Sequence, residues 1–104
     1  MIYVIATVEL APGTRDALLV EFAKVVPLVR AEAGCIEYAP AVDADTHLPS
    51  QARIGPDCVV VVEKWESLEA PAAHDAAPHM QAYRARVKDY VRGREIRMLV
   101  PVPG

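Results

Sequence analysis

The chain is short of several things that would settle its class at once. Its two cysteines, Cys35 and Cys58, are far apart and form no CxxC pair, so a disulfide framework or thiol metal clamp is not indicated. Reduced thiols in a cytoplasmic protein are the expectation. There is no glycine-rich phosphate loop, which leaves nucleotide or flavin binding through such a motif unsupported. No apolar run reaches the length of a membrane span, and no basic segment leads into one, so neither membrane insertion nor a signal peptide is expected. Charge of one sign is also scarce. The net charge of -3 argues against nucleic acid as a partner. Arg84, Arg86, Lys88, Arg92, Arg94 and Arg97 do cluster late, where a solvated helix face and cations near a helix C-terminus explain them.

Apolar residues, by contrast, are plentiful. They make up 53% of 104 residues against 24% charged, which predicts one folded domain over residues 1–104. That is more apolar material than one side of a small sheet can hide, so burial by a second copy is expected.

The stretch from Cys58 to Val91 organises the chain. Cys58 to Trp65 is an apolar run, predicted to be a strand buried on both faces. Ser67 stands where a helix cap belongs, and a short helix should run to about Asp75, with Pro71 tolerated near its start. Pro78 should open a second helix at its favoured first position. Met80, Tyr83, Val87, Tyr90 and Val91 give that helix one apolar stripe, and Gly93 would cap it.

Upstream, Ile2 to Leu10 is a strand, apolar on both sides over its first half. Pro12-Gly13 is a turn, and Thr14 can cap a helix carrying Leu18, Phe22, Val25, Val26 and Val29 at three- and four-residue steps. Pro27 interrupts it and Gly34 ends it. Cys35 to Val42 is a second strand, with Ile36, Tyr38 and Val42 pointing one way. Asp43 to Asp57 shows no period and is long for a connection, either a lid or partner-binding arm or a tolerated insertion. Glu95 to Pro101 closes the chain as a fourth strand. The order is the α+β, ferredoxin-like split βαβ arrangement: an antiparallel sheet with helices on one face. The sheet's other face calls for a homodimer, leaving one apolar pocket per subunit between sheet and helices.

The segments GCIEYAPAVD (34–43), VVEKWESLEA (61–70), AHDAAPHMQAY (73–83) and REIRMLVPV (94–102) resemble the antibiotic biosynthesis monooxygenase superfamily. Within it they resemble most the small bacterial quinol monooxygenases. The likeness runs nearly end to end. The Trp-Glu-Ser turn and the His…Pro-His-Met segment are its specific parts, and the loop from Asp43 to Asp57 matches least. The resemblance implies a dimeric α+β barrel that oxidises aromatic quinols with O2 and without metal, flavin or haem.

Such chemistry needs a substrate hydroxyl to lose its proton, a ring held in a dry cavity, and stabilised anions. His79, in the first turn of a helix, should be neutral there and can act as the base; His74 can form the other side of the pocket. Both are the expected catalytic residues. Trp65, Tyr38, Met80 and Tyr83 are expected as pocket wall, and Glu63, two residues before Trp65, would orient an imidazole if buried. For each, plain core or surface packing is the competing reading. His74 and His79 are five apart with a proline between them, so with His47 and Asp75 they make no helical metal motif. Members of the superfamily that degrade haem resemble a pattern with a histidine where Arg84 stands here, and a guanidinium does not ligate iron. An isomerase of a small hydroxy-ketone, or a non-catalytic dimer that binds an aromatic ligand, remain alternatives.

Overall fold

The computed structural model describes all 104 residues. Strand β1 (Ile2–Leu10), helix α1 (Arg15–Arg30), β2 (Cys35–Ala41), β3 (Cys58–Trp65), α2 (Glu69–Ala76), α3 (Pro78–Val87) and β4 (Val91–Leu99) follow in that order. The sheet order is β2-β3-β1-β4, antiparallel throughout, which is the ferredoxin-like arrangement expected.

Alternation decides which side of each strand is buried. Ile2, Val4 and Ala6 of β1, and Val59, Val61, Glu63 and Trp65 of β3, face the helices. Helix α1 meets them with Leu18, Phe22, Val25 and Val29, and α3 with Met80, Tyr83 and Val87. The opposite face carries Ile5 paired with Val62, with Val60 and Ala39 beside them, each half-buried. So β3 is fully buried on one face only in a single chain, and the surplus apolar surface predicted from composition lies on the other.

Several expected boundaries move. Helix α2 starts at Glu69 behind Leu68, and Ser67 does not cap it. Thr14 stands at the α1 N-cap, but its hydroxyl donates to the Ala11 carbonyl instead of receiving a helix N–H. Gly93 does not cap α3, which ends at Val87; Tyr90 lies in the turn, and Val91 already pairs with Leu10 as β4 begins. Strand β4 therefore starts four residues before Glu95 and ends at Leu99. A bulge between Cys35 and Glu37 buries Tyr38 and turns Ile36 out to solvent. No helix is long and apolar enough to cross a membrane. Both cysteines are unpaired.

The loop between β2 and β3 has no regular structure but closes on itself. The Asp43 carboxylate accepts the backbone N–H groups of Ile54 and Gly55, which holds its carboxyl below the usual range. None of its residues reaches the cleft described next.

Candidate active site

The helices leave part of the sheet's inner face uncovered toward β4. The result is a cleft of about 690 Å3. On the sheet side it is lined by Val4, Ala6 and Val8 of β1, Val61 and Glu63 of β3, and Ile96 and Met98 of β4. On the helix side stand Pro71 and His74 of α2 and Met80, Tyr83 and Val87 of α3, with Phe22 of α1 and Tyr38 of β2 also against it. An apolar cleft with a few convergent polar groups is what a small-molecule site requires.

Phe22 sets both phenols. Its ring stacks on Tyr38 at 5.5 Å between centroids and meets Tyr83 edge-on at 5.7 Å. Burial pushes the Tyr38 hydroxyl up, helped by the charge of Glu63, and burial also pushes Tyr83 up to about 12. Both therefore stay neutral near pH 7 and present an O–H donor.

His74 packs between two aromatic rings, 5.3 Å from Tyr38 and 5.1 Å from Trp65. Its Nδ1 lies 3.0 and 3.2 Å from the two carboxylate oxygens of Glu32. His79 approaches the same carboxylate from α3, with Nε2 2.6 Å from Glu32 Oε2. With Glu32 ionised, each imidazole donates N–H to it. That fixes His74 as the tautomer whose Nε2 lone pair is left for another partner. No hydrogen bond within the protein engages this Nε2.

Glu32 lies just past the C-terminal cap of α1, more than forty residues from either histidine. Gly34 brings it there. The glycine has φ +82°, and a Cβ on it would sit 2.9 Å from the Cβ of Ala70 in α2. Its carbonyl also accepts the Glu66 N–H at 2.8 Å, which carries the β2–β3 pairing one step past Cys35 and Trp65 and clips the turn after α1 to the end of β3.

Of the residues singled out from sequence, His74, Tyr38, Met80, Tyr83 and Glu63 meet at the cleft. Trp65 does not line it. The indole is fully buried behind His74, and its N–H donates to Glu63 Oε1 at 2.9 Å. Glu63 thus holds the indole rather than orienting an imidazole. Burial raises its carboxyl, and the Trp65 bond works against that rise. His79 does not line the cleft either. It is about a quarter exposed, and its Nε2 is committed to Glu32. Sequence reasoning missed Glu32, whose one local signal is a carboxylate next to a helix C-terminus, where the dipole disfavours it. It placed Phe22 in the apolar stripe of α1 and read Arg84, Lys88 and Arg94 as part of a solvated cationic cluster, whereas all four border the cleft. No group of three histidine, cysteine or acidic side chains is arranged to hold a metal ion.

Known proteins share this sequence pattern and this fold. Over 103 residues, 97% of this chain and 98% of the relative, the sequence is 44% identical to the probable quinol monooxygenase YgiN of Escherichia coli K12. A Mycobacterium tuberculosis protein of known structure is 28% identical and superposes with a TM-score of 0.78, covering 99% of this chain and 96% of its own. One from Pseudomonas aeruginosa, 25% identical, gives 0.80 over 98% and 94%. The sequence profile of the antibiotic biosynthesis monooxygenase family matches residues 1–86, a span that holds β1 and β3 and every residue of the Glu32–His74–His79 cluster; the chain belongs to that family.

Proposed function

We propose that the chain is a quinol monooxygenase that works without a cofactor, binding an aromatic hydroquinone in the cleft and activating it by proton removal. The observation that carries this is the Glu32–His74 contact at the wall of an apolar cleft. His74 Nε2 accepts the substrate hydroxyl proton, and Glu32 stabilises the imidazolium that forms. Tyr38 and Tyr83 cannot serve as the base, because burial keeps both protonated; they hydrogen-bond the substrate oxygens. The phenolate then gives electrons to O2. Hydroquinone plus O2 yields hydroxyquinone plus water when one oxygen atom enters the ring; simple oxidation yields quinone plus hydrogen peroxide. The 44% identity to a protein named a probable quinol monooxygenase supports the substrate class.

The apolar outer face supports a second part of this reading. Ile5, Val60 and Val62 form a patch on the sheet that a second copy would cover, giving a homodimeric α+β barrel.

The test is oxygen uptake by chelator-treated protein with a naphthohydroquinone, after subtraction of the spontaneous rate. Uptake that is fast in wild type and lost in His74→Ala is the expected result. Uptake no faster than autoxidation would refute the assignment, and turnover of a hydroxy-ketone under nitrogen would replace it with an isomerase.

A further inference from the structure

One edge of the cleft has no part in that chemistry. Arg84 and Lys88 lie one helical turn apart at the C-terminal end of α3, and Arg94 stands on β4 opposite Val8; all three border the cleft. Asp75 is the one acid paired there. It takes Arg84 Nη2 on its carboxylate at 2.6 Å and Nη1 on its carbonyl at 2.9 Å. Arg84 Nε is shut from water and has no acceptor. Neither Lys88 nor Arg94 takes part in an ion pair. Arg94 also borders a small polar hollow with Thr7, Glu9 and Glu95, but Glu95 is paired with Arg97 and Glu9 with no cation. The remaining acid facing the cleft is Glu63, which is buried, accepts the Trp65 indole N–H and forms no ion pair with any of the three cations.

The edge is therefore positive beside an otherwise apolar cavity. A neutral hydroquinone has no group that answers it. Cations gathered on the rim of a low-dielectric cavity repel one another, and they draw in an anion that can share them. We propose that Lys88 and Arg94, with Arg84 behind them, form an anion subsite, and that the substrate is an aromatic quinol bearing a carboxylate. Its ring lies against Met80 and Tyr83, and its acid group reaches the rim. The proposal rests on the quinol reading for the ring, but not on the redox step.

Binding therefore tests it without turnover, using 2-naphthoate and its methyl ester, which differ in charge and do not react with O2. Calorimetric titration at low salt should show the acid bound about tenfold more tightly than the ester, a preference that shrinks as salt screens the rim. In Lys88→Gln/Arg94→Gln the acid-to-ester ratio should fall toward one. Lys88→Glu, at the same exposed position, should reverse it. Equal binding of acid and ester by wild type overturns the anion subsite and leaves the quinol reading standing; binding of neither overturns both. A ratio unchanged in the double variant refutes the assignment to these residues.

Discussion

The two sides of the cleft are built on opposite plans. On the α2 side, polar groups are buried or half-buried and partnered: Glu32 takes both imidazoles, Glu63 takes the Trp65 indole, and His74 is clamped between aromatic rings. On the β4 side, cations stand at the surface, Lys88 and Arg94 have no partner, and Ile96 and Met98 are half open to solvent. Hydrogen-bonded networks shielded from water hold their geometry; exposed long side chains do not. Proton transfer needs fixed atoms and dryness, whereas attraction of a charged group needs neither. On the proposed function, chemistry falls to one side and selection to the other.

Substitutions separate these roles. The largest effect is expected for His74→Ala, a loss of roughly a hundredfold in kcat with little change in KM, measured as oxygen-dependent quinone formation. An equal change in KM alone would place His74 with the binding groups. Glu32→Ala removes a charge-assisted bond and should lower kcat about tenfold, and His79→Ala by less, since His79 reaches the cleft only through Glu32. If His79→Ala is the more damaging of the two, the order of the cluster is wrong. The outer sheet face offers a control remote from both sides. Val62→Arg should convert the proposed dimer to a monomer in sedimentation equilibrium at micromolar concentration, because it puts a charge in the middle of the apolar patch.

The smallest effect concerns stability. Burial raises the Glu63 carboxyl above its unfolded value, so the protonated form favours the fold. That contribution is fully present below the usual carboxylate range and is lost as pH rises through the raised folded value. Glu63→Gln keeps an acceptor for Trp65 and has no proton to lose. Its melting temperature relative to wild type should therefore climb between about pH 4 and neutrality; a difference that stays flat with pH would contradict the burial argument.

Much of the architecture could be read from spacing. The alternation in Ile2–Leu10 and Cys58–Trp65, and the three-four steps from Leu18 to Val29, place the inner face correctly because tertiary packing follows those periods. The start of β4 could not be read. Arg92, Gly93 and Arg94 lack a strand period, since this edge strand is largely exposed and its pairing is set by β1. Gly93 resembles a helix stop but lies against Glu9, where the β1–β4 register slips. Within the site, His74, Tyr38, Met80 and Tyr83 follow from their elements. Trp65 shares the inner face as expected, but a flat ring at the strand's end is covered by α2, and alternation says nothing about that layer. Glu32 is invisible for a stronger reason: its partners come from helices far along the chain, and no local pattern encodes such a meeting.

The missing methyl at Gly34 has a thermal consequence. Between the end of α1 and the start of α2 there is room for a backbone and nothing more, and the His74 ring has its carboxylate only while those two segments stay pressed together. On one side that seam continues the β2–β3 ladder, but on the other it is a two-turn helix, and that helix should loosen first on heating. Activity would then fade at temperatures where circular dichroism still reports an intact protein.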